Sequence, residues 1–264
     1  MTKTALVTGG TGTIGKALVP KLMDMGYIVY VMSRDDSKQA EMRIDFPDVR
    51  FMIGDITNTS DICAVMDNAE PELVVNAAAL KHVPACEDTP EVAMRINTAG
   101  ACNVYRAACE YGSERFIQIS TDKAVYPISV LGMTKAMAER SLSVMSRVGM
   151  NAPLAVCRLG NVIGSRGSIL ATATRQLKEF GYVPITNFEM RRYWISDTDT
   201  AEYIGSVAAI EEPAKFSGVH VPVMLEERVV DMIKRHLGDV PMKEVGARFG
   251  EKLQEDLLWP WERK

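Results

Sequence analysis

Thr8-Gly9-Gly10-Thr11-Gly12-Thr13-Ile14-Gly15 decides how this chain is read. It follows a short apolar run at 4–8, which has the look of a buried strand. It opens a helical pattern over 14–25, with Ile14, Leu18, Leu22 and Met25 on one face. Glycines at 9, 12 and 15 permit a tight turn and let the backbone approach a pyrophosphate, which the helix N-terminus then faces. A glycine triplet alone is a weak signal, and the strand–turn–helix context strengthens it. Gly9, Thr11, Gly12, Thr13, Ile14 and Gly15 are therefore expected to line a dinucleotide.

Outward from that turn, short β-branched runs alternate with longer helical patterns. Strands are expected at 27–32, 49–53, 73–78, 116–120 and 154–159, and the longest helices at about 92–111 and 131–148. This alternation predicts an α/β fold, a Rossmann-type doubly wound parallel sheet. Beyond about residue 160 the pattern breaks at Gly164, Gly167, Pro184 and the polar stretch 196–200. A helical pattern at 227–237 and a basic, glycine-containing loop at 246–252 follow. The expected organisation is a dinucleotide-binding core at 1–160. A small substrate-binding lobe at 161–264 is interleaved with it in one compact unit.

Composition narrows the function. A chain of 264 residues with net charge −4 and no basic run speaks against nucleic acid as a partner. Five cysteines without metal-ligand spacing read as reduced thiols, and no metal site is expected. With no signal-peptide pattern and no long apolar run, the expectation is a cytoplasmic protein without a membrane span.

The end of the second strand selects the cofactor. Arg34 can pair with a 2′-phosphate and Ser33 can donate to it, with Lys38 nearby, which favours NADP. Asp35 keeps NAD as the alternative, because a slip of one residue restores an acid for free ribose hydroxyls. Asp55, followed by Ile56, is placed to accept from the adenine amino group. Ala77, Ala78 and Ala79 leave room across the sheet edge. Asn97, inside a helix, reads equally as a cofactor-side residue or an ordinary polar position. Ser120-Thr121-Asp122-Lys123-Ala124 sets a carboxylic acid beside an amine at the end of a strand. Burial and neighbours could tune such a pair for general acid–base work.

With these motifs in place, the chain resembles the extended short-chain dehydrogenases that act on nucleotide sugars. More narrowly, it is similar to the polysaccharide-biosynthesis (CapD-like) UDP-N-acetylglucosamine inverting 4,6-dehydratases. The stretches that carry the likeness include Ser33-Arg34-Asp35 and Ala77-Ala78-Ala79-Leu80-Lys81-His82-Val83-Pro84. Ser120-Thr121-Asp122-Lys123-Ala124, Gly160-Asn161-Val162-Ile163-Gly164-Ser165-Arg166-Gly167-Ser168, Arg192-Tyr193-Trp194-Ile195 and Arg248-Phe249-Gly250-Glu251-Lys252 complete the set.

The resemblance implies an enzyme that removes water across carbons 5 and 6 of a UDP-sugar, with a nicotinamide cofactor as hydride carrier. It implies Asp122 as the acid for the 6-hydroxyl, Lys123 at the carbon 5 proton and Thr121 beside the carbon 4 oxygen. Lys135 would hold the nicotinamide ribose. Asn161, Ser165 and Arg166 would meet the UDP moiety, with Arg192, Arg248 and Glu251 as a clamp. Lys81 would lie near the sugar and cofactor, and relatives imply a homo-oligomer. One departure stands out. The family's tyrosine, four residues before Lys135, is Leu131 here. An epimerase would want that tyrosine and has no use for the Asp122–Lys123 pair. A dehydratase on another sugar and a silent NADP-binding protein are the remaining alternatives. His82 reads as structural, and Trp259-Pro260-Trp261 as packing or a contact surface.

Overall fold

The computed structural model describes residues 3–165, 167–247 and 249–263. Seven strands form the central sheet: β1 (Lys3–Thr8), β2 (Tyr27–Ser33), β3 (Arg50–Ile53), β4 (Leu73–Asn76), β5 (Arg115–Thr121), β6 (Leu154–Leu159) and, from far along the chain, Gly218–His220. Their order is β3-β2-β1-β4-β5-β6 and then Gly218–His220, and every pairing is parallel. A parallel sheet is covered on both faces, so its central strands are apolar throughout. Accordingly Leu73, Val74, Val75, Leu154, Ala155, Val156 and Cys157 are all buried. One face packs Leu18, Leu22, Ile204, Val207 and Phe216. The other packs Ile62, Val65, Met66, Val104, Tyr105 and Leu142.

Strand order reverses between β1 and β4. In such sheets the crevice outside the strand ends at this switch is where a ligand binds. A buried polar chain crosses the strands here: Thr8 donates to Asn76, and Asn76 donates to Gln118 at 2.8 Å. β4 stops at Asn76 where the sequence predicts strand to residue 78. Ala77 still donates to Thr8 O, after which the chain turns away and opens the crevice.

After β6, residues leave the main sheet and return to it. β7 (Asn161–Val162), β8 (Val183–Ile185) and β9 (Arg191–Ile195) precede the seventh sheet strand, β10 (Gly218–His220). β11 (Leu225–Arg228) and β12 (Met242–Glu244) follow it. β7, β9 and β11 form a second sheet, and β8 pairs with β12. Ala173, Val183, Trp194, Val229 and Ile233 make a third core there.

The polar stretch 196–200 is not a break but a helix start. Ser196 accepts from Asp199 N and caps Asp197–Ala208. Ser168 likewise caps Ile169–Phe180, which ends at Gly181 with φ 76°. Asp197–Ala208 escapes the hydrophobic pattern because its cap and first turn, Ser196 to Thr200, are polar. The helix pattern at 227–237 begins at Val229, since Glu227 and Arg228 pair with Arg192 and Arg191 across β9. The long helix expected at 92–111 is three consecutive segments, Pro90–Met94, Arg95–Gly100 and Ala101–Glu110. The middle one is π-helical. The other long helix is Val130–Arg147.

Candidate active site

The glycine turn sits at the switch point. Gly9 has φ +67°, and a Cβ there would lie 2.7 Å from the Ala78 backbone, so the turn closes against the loop after β4. A Cβ on Gly15 would overlap Gly10, which lets helix Thr13–Asp24 start directly behind the turn. Gly12 is the exposed N-cap of that helix. Among the described residues no side chain caps it and no acid stands in its first turn. Free N–H groups and the positive end of the helix dipole are what a pyrophosphate needs. Thr11, Thr13 and Ile14 are partly exposed beside it. The cradle fits a dinucleotide.

At the end of β2, Arg34 is an exposed guanidinium that pairs with Asp55 at 3.4 Å. Asp35 is occupied locally. Its carboxylate accepts from Lys38 N, capping helix Asp36–Asp45, and pairs with Lys38 Nζ. Ser33 is held by Gln39, which donates to its Oγ at 3.0 Å. Burial pushes the Asp55 carboxyl up. Its hydrogen bonds from Thr57 and the nearby Arg34 outweigh this and hold it below the usual carboxylate range. Ile56 is buried against Gly100.

The acid–amine pair lies two strands away. β5 ends at Thr121, whose Oγ1 caps a 3₁₀ turn over Asp122–Ala124. Asp122 is fully buried. Its Oδ1 accepts from Thr121 Oγ1 at 2.9 Å and from Lys123 Nζ at 3.0 Å. Its Oδ2 is buried and has no hydrogen-bond partner among the described residues. Unpaired buried carboxylate oxygens are costly, so such an atom marks a place where a partner is due.

Helix Val130–Arg147 packs its first turn on this pair. Ser129 caps it, donated to by Gly132 N at 3.1 Å, and a Cβ on Gly132 would overlap the carbonyl of Lys123. Leu131 is buried in a small apolar cluster with Cys86 and Ala93. Lys135, one turn on, is buried and donates to Ile119 O at 2.9 Å. Burial lowers its ammonium pKa to about 8, opposed by Glu139. Asn97, in the π-helical segment, accepts from Leu80 N and donates to Leu80 O and Thr134 Oγ1. It therefore fixes the start of the loop that carries the exposed Lys81. The His82 ring lies so close to Gly167 that a Cβ there would overlap it.

On the lobe side, Asn161 donates to Tyr193 O at 3.3 Å, and Ser165 is partly exposed. Arg192 is buried, and its guanidinium donates to the carbonyls of Arg191, Lys252 and Leu253. It thereby binds β9 to the C-terminal segment. Glu251 accepts from Thr186 Oγ1 at 3.0 Å. Arg166 and Arg248 lie outside the described residues.

Sequence reasoning passed over a second set. Arg158, on β6, is 1% exposed and pairs with Glu139 and Glu262, at 2.7 and 2.6 Å. Glu139 also accepts from Ser120 Oγ. Lys252 and Glu255 pair at 2.7 Å, and Glu255 reaches within 3.6 Å of Lys123. One signal was available: an arginine inside the apolar strand Leu154–Leu159 demands a buried partner.

Comparison with known proteins supplies the lineage. The sequence profile of the family described as polysaccharide biosynthesis protein matches residues 5–264, and the chain belongs to that family. A protein from Campylobacter jejuni named UDP-N-acetylglucosamine 4,6-dehydratase (inverting) is 33% identical, over 97% of this chain and 77% of that one. A Rickettsia conorii protein named UDP-glucose 4-epimerase is also 33% identical, with the same coverage. Among solved structures, Pen from Bacillus thuringiensis is 28% identical with a TM-score of 0.88, covering 97% of this chain and 81% of that one. The dTDP-glucose 4,6-dehydratase DesIV from Streptomyces venezuelae, solved with NAD bound, shares the fold. Its TM-score is 0.83 at 20% identity, covering 96% of this chain and 88% of that one. The chain is an enzyme of the nucleotide-sugar dehydratase and epimerase group within the short-chain dehydrogenases.

Proposed function

From that family membership we propose that the protein is a UDP-N-acetylglucosamine 4,6-dehydratase that inverts carbon 5 and uses NADP. The observation that carries the reading is the buried Asp122, with one oxygen on Lys123 and the other without a hydrogen-bond partner among the described residues. An elimination needs an acid and a base within reach of adjacent carbons. Asp122 in its acid form gives a proton to the departing 6-hydroxyl through Oδ2. Lys123 as the free amine takes the proton from carbon 5, and water leaves as the carbon 5–carbon 6 double bond forms. Thr121 stands beside the carbon 4 oxygen.

Gly9, Thr11, Gly12, Thr13, Ile14 and Gly15 would hold the pyrophosphate, with Asp55, Ile56, Ala77, Ala78, Ala79 and Asn97 along the cofactor. Lys135 would hold the nicotinamide ribose. NADP, when bound, supplies the acceptor for the carbon 4 hydride and returns it to carbon 6. Arg34 and Ser33 suit a 2′-phosphate, and the engagement of Asp35 as a helix cap speaks for NADP over NAD. Lys81, Asn161, Ser165, Arg166, Arg192, Arg248 and Glu251 are assigned to the UDP-sugar, Arg192 through its hold on the segment at Lys252 and Leu253.

Residues 161–264 act as the substrate lobe on the 1–160 core. A homo-oligomer is favoured by Met133, Met137 and Val144, exposed along one helix. Among the described residues no helix is long and apolar enough to cross a membrane. Charged nucleotide ligands and free thiols suit a cytoplasmic setting.

The second reading, a 4-epimerase, is favoured by the 33% identity to proteins of that name. Against it stands Leu131, an apolar residue where an epimerase uses tyrosine. The test is incubation with NADP and UDP-N-acetylglucosamine, followed by mass spectrometry. Loss of one water, abolished in Lys123→Ala, is expected. An unchanged mass despite binding of both ligands contradicts the proposal.

A further inference from the structure

The C-terminal segment is fastened to the Asp122–Lys123 turn and the neighbouring strand. Lys252 Nζ donates to Val125 O at 2.8 Å. Trp259 meets Tyr126 edge-on, with ring centroids 4.6 Å apart. Glu262 pairs with Arg158 on β6. Within this brace Glu255 is 3% exposed, with Oε2 2.7 Å from Lys252 Nζ and Oε1 3.6 Å from Lys123 Nζ.

A buried carboxylate needs a partner, and Lys252 supplies the opposite charge for Glu255 Oε2, although that oxygen accepts no hydrogen bond among the described residues. The approach to Lys123 has a separate consequence. Lys123 ends in a flexible four-carbon stem and can swing between the two oxygens of its neighbour. In the structure it sits on Oδ1 of Asp122 and 3.6 Å from Oε1 of Glu255, while Oδ2 is buried without a hydrogen-bond partner among the described residues. Among the described residues the ion-pair partners of Lys123 Nζ are Asp122 and Glu255, so without Glu255 no second acid draws the amine away from Oδ2.

We infer that Glu255 is a positioning residue for the elimination. It holds the Lys123 amine at Oδ1 of Asp122 and so reserves Oδ2 for the leaving hydroxyl. The inference rests on the dehydratase reading.

The experiment compares Glu255→Gln, Lys252→Met and the double variant with the wild type, each loaded with NADP. For Glu255→Gln, kcat for water loss from UDP-N-acetylglucosamine is expected to fall about 100-fold, the lower end of what a positioned acid–base group supplies. KM and NADP affinity should stay within about threefold, as for a residue acting only on the chemical step. Lys252→Met should lose much less, and the double variant no more than Glu255→Gln. Equal losses in the two single variants would make Glu255 a mere counter-ion of Lys252 and overturn the inference. Glu255→Asp keeps the charge and guards against a folding failure. Its kcat should fall about tenfold, and a wild-type value overturns the inference.

If the wild type removes no water, the dehydratase reading fails. The same proteins are then compared by acetic anhydride labelling of Lys123, read by peptide mass spectrometry. Several-fold faster labelling in Glu255→Gln than in Lys252→Met supports the positioning contact, and equal rates remove it.

Discussion

The two ends of the crevice are built by different means. The cofactor side is backbone: a glycine turn between β1 and its helix, closed against Ala78, with an uncapped helix N-terminus. The elimination side is side chain: Asp122, Lys123, Lys252 and Glu255, brought together from two segments far apart in the chain. The first is a local consequence of a few consecutive residues. The second exists only when the whole chain is folded. Changes on the first side should therefore cost ligand affinity, and changes on the second should cost chemistry.

The largest expected effect breaks the elimination side alone. Asp122→Asn keeps the shape and removes the acid. Its kcat should drop about 10³-fold, a loss in the usual range for general acid catalysis. NADP affinity, measured by calorimetry, should be unchanged, and a parallel loss of affinity would erase the distinction between the two sides.

Lys135 joins the sides and makes a prediction about stability. Its pKa falls from 10.5 to about 8 on burial, so between those values the unfolded chain binds more protons than the folded one. Stability of the ligand-free protein should rise with pH across that window, and the cost of the buried charge is fully present below pH 8. Lys135→Met should remove that rise and add up to about 3 kcal/mol at neutral pH. Denaturant titrations at pH 7 and pH 9.5 would show it, and identical pH slopes in the two proteins would refute it.

Gly132→Ala forces a methyl group onto the carbonyl of Lys123. A loss of about 1–3 kcal/mol in stability is expected, as for overpacking elsewhere. The fall in kcat should exceed the fall in NADP affinity, because the displaced atom belongs to the elimination side. Of similar size, and confined to the cofactor side, Arg34→Ala should weaken NADP by about 1.5–3 kcal/mol, the scale of a charge-assisted contact, and leave NAD binding unchanged. Equal weakening of both would mean that Arg34 does not read the phosphate.

The same contrast governs what could be read from sequence. The glycine turn, the first six strands of the central sheet and the helix at Val130–Arg147 follow from local pattern, because turn chemistry and apolar periodicity act over a few residues. The Asp122–Lys123 pair was legible because its members are adjacent. Glu255 was not, since nothing near it in sequence announces that its carboxylate returns to Lys123. The seventh strand, Gly218–His220, is three residues long and takes its place only by pairing with β6. Asp197–Ala208 was masked by its own polar cap.

The most direct measurement runs the reaction in heavy water with UDP-N-acetylglucosamine and NADP and reads the product by mass spectrometry and NMR. A product lacking one water, carrying one deuterium at carbon 5 with that centre inverted, is the predicted result. A product of unchanged mass, inverted at carbon 4 and free of deuterium, would contradict the account and make the protein an epimerase.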